Sequence, residues 1–153
     1  MKAFDNSDLE ILHAFTFGPA LVKDGNLLEM DTEYGYNPTG NEPRTAIGQT
    51  GKLSYVLVVA EGRTDESEGV TQQELADFMF ELGCVEALNL DGGGSSELYV
   101  KNLGICNVPS DGKERTVANG IFAVANVPVD NEIVSIAFAD YRKTIAVGED
   151  YVP

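Results

Sequence analysis

Val85-Glu86-Ala87-Leu88-Asn89-Leu90-Asp91-Gly92-Gly93-Gly94-Ser95-Ser96 decides the reading of this chain. The first six residues form a largely apolar run of strand length, and the rest is a loop. Three consecutive glycines are costly to order, because glycine loses more backbone freedom on folding than any other residue. Such a run persists where the backbone needs positive φ, or where a ligand must approach closer than a Cβ allows. Asp91 precedes the glycines and Ser95 and Ser96 follow them, so a charge, bare N–H donors and two hydroxyls share one loop. That make-up suits a polar, anionic substrate. The alternative is a tight turn between strands, with the serines satisfying its backbone.

Working outward, the segment before the loop carries the one convincing helix, Gln72–Leu82. Thr71 as N-cap with Glu74 three residues on is a capping box, and Gly83 suits the closing left-handed position. Leu75, Phe78, Met79 and Leu82 recur at helical spacing, which predicts the buried stripe. Further upstream, Leu53–Ala60 is a strong β run. The order strand, helix, strand predicts a crossover that lays 53–60 and 85–90 parallel in one sheet. Glu61 and Asp91 then leave the sheet on the same edge, bringing two carboxylates to one rim. Lys23-Asp24-Gly25-Asn26 reads as a hairpin turn between Val22 and Leu27, and Leu9–Phe17 and Ala20–Val22 are apolar segments. Downstream, Glu97–Val100 and Thr116–Val127 read as strands, the latter interrupted at Asn119-Gly120. The fold class expected is α+β, a mixed sheet with at least the helix 72–82 packed on it.

Composition narrows the function. The 153 residues suffice for a cored domain, and 43% apolar with 23% charged residues exclude a disordered chain. A net charge of −15, from 25 acidic and 10 basic residues, opposes binding to nucleic acid or anionic membranes. No segment has the roughly 20 apolar residues of a membrane-spanning helix, and the first residues do not read as a signal peptide. Cys84 and Cys106 are read as free and buried rather than paired. The single histidine, His13, lies among apolar residues and reads as a strand residue without chemistry. A zinc site thus lacks ligands, no Asp-x-Asp-x-Asp-Gly run offers a calcium site, and neither a metal nor a cofactor is called for.

Five motifs in order carry a resemblance: Phe17–Gly25, Pro43–Gly48, Glu61-Gly62-Arg63, Leu90–Ser96 and Glu114–Asn119. Together they resemble the phosphodiester glycosidase family, over about residues 14–127. The resemblance implies hydrolysis of a sugar-1-phosphodiester at the sugar, of the N-acetylglucosamine-1-phosphate type, in glycan or exopolysaccharide metabolism. Two departures stand out. The family's usual N-terminal part has no counterpart in residues 1–13, and its Asp-Gly-Arg is here Glu61-Gly62-Arg63. Residues 128–153, through Glu132–Phe138 and Thr144–Glu149, resemble a linker and the opening strands of a bacterial immunoglobulin-like repeat. The chain is therefore expected to divide into 1–127 and 128–153 and to be part of a larger secreted, extracellular or cell-surface protein.

Residue types then suggest roles. Cleaving a sugar C1–O bond passes through an oxocarbenium-like state that a carboxylate stabilises or attacks. Asp91 is the candidate for that carboxylate and Glu61 for its acid/base partner. Arg44, Thr45, Arg63, Arg115 and Asn119, with Gly92, Gly93, Gly94, Ser95 and Ser96, are the candidates for holding the sugar phosphate. Each also has a purely structural reading: Asp91 as a turn cap, Glu61 as a strand end, Arg44 paired with Glu42, and Arg115 with Glu114 or Asp111. A non-catalytic carbohydrate-binding or surface-display module is the competing function.

Overall fold

The computed structural model describes residues 14–33 and 35–124. Contacts divide the chain into Met1–Ala118 and Asn119–Pro153. The first unit holds a five-stranded sheet in the order β2-β1-β5-β3-β4, where β1 is Ala20–Lys23, β2 Asn26–Leu27, β3 Arg44–Gly51, β4 Ser54–Ala60 and β5 Glu86–Asn89. A helix, α1, spans Gln72–Glu81, and a two-stranded ribbon pairs β6, Tyr99–Val100, with β7, Gly104–Ile105.

Local chemistry accounts for each element. β1 and β2 close through Asp24 and Gly25, whose φ values of 51° and 73° are those of a two-residue hairpin turn. The capping box forms as read: Glu74 N–H donates to the Thr71 hydroxyl, and Thr71 N–H donates to the Glu74 carboxylate. Gly83, at φ 78°, ends the helix. β3 lies between β4 and β5 and is antiparallel to both, so β4 and β5 are parallel to each other, as the crossover predicts, with β3 between them.

The helix faces the sheet through Gln72, Leu75, Ala76 and Met79, packed with Leu21, Val22, Ala46, Cys84 and Ala87. This corrects the expected stripe. Phe78 is only half-buried and Leu82 is 40% exposed. The buried face is turned toward Gln72 and Ala76, a polar and a small residue that an apolar pattern undervalues. Gly48 on β3 permits the close packing, since a Cβ there would lie 2.5 Å from Cys84 Sγ and 2.7 Å from Met79 Cε.

Other expectations need correction. Residues 116–124 form no strand and are exposed, because no described strand pairs with them and an unpaired β-prone segment satisfies none of its backbone groups. Residues 14–17 are likewise not a strand. Only Tyr99–Val100 of the expected 97–100 strand is paired. Cys84 is free and buried as expected, whereas Cys106, beside the surface ribbon, is free but exposed. His13, the remainder of Leu9–Phe17, residues 125–127 and the immunoglobulin-like reading of 128–153 lie outside the described residues.

The observed helix face sets an expectation for stability. Met79→Ala should cost about 2–5 kcal/mol in chemical denaturation, and Leu82→Ala less than about 1 kcal/mol. Equal losses would mean that Leu82 belongs to the core stripe.

Candidate functional site

The sheet register delivers the site. Ala46 pairs with Asn89 across β3 and β5, and beyond that pair Leu90 N–H donates to Thr45 O and Gly93 N–H to Pro43 O. The glycine loop is thereby bonded along the start of β3. It turns as a short 3-10 segment over Gly93–Ser95. Around it lies a cleft of about 300 Å³, lined by Phe17, Tyr36, Asn37, Glu42, Pro43, Arg44, Arg63, Asn89 and Leu90, then Asp91–Gly94 and Arg115.

Each glycine answers a different close approach. A Cβ on Gly92 would lie 2.6 Å from Pro43 O. Gly93 has φ 60°, and the Arg63 Nη1 rests 3.3 Å from where its Cβ would be. At Gly94 a Cβ would lie 2.6 Å from the Arg115 guanidinium carbon and would also overlap Asp111 Oδ2. The run therefore seats two guanidinium groups against bare backbone.

Those two arginines are oriented by carboxylates. Arg63 Nε and Nη2 each reach Glu42 Oε2 at 2.6 Å, and Arg115 Nε and Nη2 reach Asp111 Oδ2 at 2.9 and 2.6 Å. The Arg115–Asp111 pairing is one of the structural readings of that residue. Nη1 of each arginine has no hydrogen-bond partner among the described residues. Burial works to raise the pKa of Glu42, but hydrogen bonds from Asn37 and Arg63 and the charges of Arg63 and Arg44 outweigh it and hold the carboxyl below its ordinary range. Asp91 is exposed, and its Oδ1 accepts from Gly92 N–H at 2.9 Å.

Arg44 occupies a different position from the other two. It is 4% exposed, and its nitrogens all donate to main-chain carbonyls: Nε to Val70 O at 3.0 Å, Nη1 to Tyr36 O at 3.5 Å, and Nη2 to Asn37 O and Gly40 O at 2.7 and 3.0 Å. Its side chain floors the cleft and holds the 36–40 loop. Burial pushes its pKa down, the neighbouring Arg63 adds to that, and Glu42 opposes it.

The remaining sequence candidates are placed as follows. Thr45 donates to Ser96 Oγ at 3.0 Å, and Ser96 is buried, so these two hydroxyls tie β3 to the loop end rather than line the cleft. Ser95 is half-buried, and it too is absent from the lining. Glu61 sits at the same sheet edge as Asp91, but its Oε1 accepts from Val108 N–H at 2.7 Å, outside the lining residues. Asn119 belongs to the second unit and is exposed.

The sequence candidates did not include the lining residues Phe17, Tyr36, Asn37, Pro43, Asn89 and Leu90, and Glu42, read only as a partner for Arg44, pairs with Arg63 instead. Asn89 had a signal: a polar residue inside an apolar strand run. It is 3% exposed, its Nδ2 donates to Gly18 O at 2.8 Å, and its Oδ1 is buried without a partner among the described residues. Among those residues there is also no cluster of three metal-ligating side chains, and no helix is long and apolar enough to cross a membrane.

Comparison with known proteins shows the family and the fold. The phosphodiester glycosidase family model matches residues 2–124. The SPbeta prophage-derived uncharacterized protein YomE of Bacillus subtilis is 36% identical over 129 residues, covering 78% of this chain and 20% of that protein. The human N-acetylglucosamine-1-phosphodiester alpha-N-acetylglucosaminidase is 44% identical over 68 residues, covering 44% of this chain and 13% of that protein. The catalytic domain of the zebrafish enzyme of that name shares the fold, with a TM-score of 0.52 at 21% identity, over 63% of this chain and 34% of its own. This chain thus spans a fifth or less of the length of these sequence relatives.

The glycine contacts predict an ordering of variants. Gly92→Ala meets a backbone carbonyl and should cost about 1–3 kcal/mol in thermal or chemical unfolding. Gly94→Ala meets two side chains that can swing away, so it should cost less stability while displacing Arg115. The reverse order would contradict the loop packing described.

Proposed function

The chain belongs to the phosphodiester glycosidase family, and on that premise we propose that it hydrolyses a sugar-1-phosphodiester of the N-acetylglucosamine-1-phosphate type in glycan or exopolysaccharide turnover. One observation supports this most: an exposed carboxylate, Asp91, shares a cleft with two arginines, each with an unpartnered Nη1 among the described residues. When C1–O breaks, the phosphodiester leaves as a phosphate monoester anion, so it needs charge neutralisation more than protonation. Arg63 and Arg115 supply that charge in this reading. Asp91 opposes the positive charge at the sugar C1 as the C1–O bond breaks, or attacks C1 before water completes hydrolysis. Glu61 serves as the acid/base partner once it exchanges the Val108 N–H for water. Arg44 acts through the 36–40 loop.

That same Glu61 contact favours a second reading, a glycan-binding module without turnover, because it withdraws one of the two carboxylates from the cleft. Release of sugar from a UDP-sugar or a p-nitrophenyl-type sugar phosphodiester separates the two. Asp91→Asn should lower release by at least about 10²-fold in folded protein, because the amide keeps size but not charge. Arg115→Ala should instead raise KM about 10- to 100-fold through loss of a charged hydrogen bond. Full activity in Asp91→Asn excludes it as the essential carboxylate. No release by the unaltered chain, with glycan binding retained, favours the binding module.

A further inference from the structure

Phe17 and Tyr36 both line the cleft and remain 41% and 76% exposed, with ring centroids 5.8 Å apart and planes tilted 39°. Large exposed aromatics are ordinary when scattered, but these two are paired, and the main chain at or next to each accepts a hydrogen bond from a buried polar side chain. Arg44 donates to Tyr36 O and to Asn37 O, the next carbonyl along. Asn89 donates to Gly18 O, the carbonyl immediately after Phe17. Both anchors are themselves at least nine-tenths buried. Tyr36 also has φ 67°, the left-handed region that a bulky residue rarely occupies. Two buried polar groups thus anchor the main chain that carries a pair of aromatic rings lining the cleft, and one of the two sits in an unfavourable backbone conformation. Strain of this kind persists where surrounding structure over-determines it, and it concentrates at ligand sites.

We infer that the Phe17–Tyr36 pair is the sugar-binding half of the cleft, a shallow trough that receives the apolar face of the pyranose ring while Arg63 and Arg115 take the phosphate; this rests on the phosphodiester glycosidase reading. The chemistry separates the two halves. An aromatic face carries negative electrostatic potential, so it repels a phosphate oxygen and attracts the C–H bonds that a pyranose presents on one face. Guanidinium groups show the opposite preference. Ligand sites that combine an apolar wall with a few placed polar groups fix orientation in this way. With the ring on the trough and the phosphate at the arginines, C1 falls at the junction between them, in a cleft that Asp91 also lines.

The test separates sugar from phosphate by using two probes, methyl α-N-acetylglucosaminide and inorganic phosphate, each titrated against the whole chain by NMR. Phe17→Ala and Tyr36→Ala should each weaken glycoside binding about three- to tenfold. Phosphate affinity should stay within about twofold, and Tyr36→Phe should retain glycoside binding because the ring remains. Absence of glycoside binding to the unaltered chain, unchanged glycoside affinity in both alanine variants, or an equal loss for both probes would overturn the assignment. Sugar release from the phosphodiester is scored separately. If hydrolysis is absent but glycoside binding still depends on the two rings, the hydrolytic reading fails and the sugar site stands.

Discussion

A buried guanidinium cannot be left without partners: the cost of taking the charge out of water is repaid only by well-placed hydrogen bonds. Arg44 meets that demand with four main-chain carbonyls, three of them in the 36–40 loop. The fork geometry of arginine suits this task in a way that a lysine ammonium does not. Because the loop is held, Asn37 is in place to donate to Glu42, and Glu42 in turn orients Arg63. One buried charge thereby sets an aromatic ring and a second arginine at the same cleft.

The other side of the cleft depends on close approach rather than on charge. β5 runs beside β3, and its continuation is bonded along Pro43 and Thr45, which brings backbone against backbone. At Gly92 nothing larger than hydrogen fits against Pro43 O, and at Gly94 the space is taken by Arg115 and Asp111. The helix makes a similar demand on the sheet at Gly48, through Cys84 and Met79. Fold and site therefore share a constraint. Both need a bare Cα where a second layer packs down.

What the sequence made legible was what local chemistry controls. The capping box at Thr71, the Asp24-Gly25 turn and the parallel relation of 54–60 to 86–89 follow from short-range signals and chain connectivity. The order of motifs announced the family, whereas the glycine run was read as room for a ligand and is met at Gly92 and Gly94 by the chain's own Pro43, Asp111 and Arg115. Partners distant in sequence were not legible. Nothing near Arg44 in the chain shows that Val70 O will accept from it, and nothing near Glu61 shows that it will be met by Val108 N–H. The 116–124 segment has strand propensity, but a strand exists only where another edge accepts its hydrogen bonds, and among the described residues none does. Gln72 was overlooked as a core position because its polarity hides its place on the buried face of the helix.

The central claim is that Arg44 builds the cleft whereas Arg63 and Arg115 meet the anion. Arginine Nε–H resonances, followed by 15N NMR while inorganic phosphate is added, test it directly. The account predicts that the Arg63 and Arg115 signals shift in step with saturation while the Arg44 signal, bound to Val70 O, stays in place. A shift at Arg44 as large as theirs, or none at either of the other two, would contradict it.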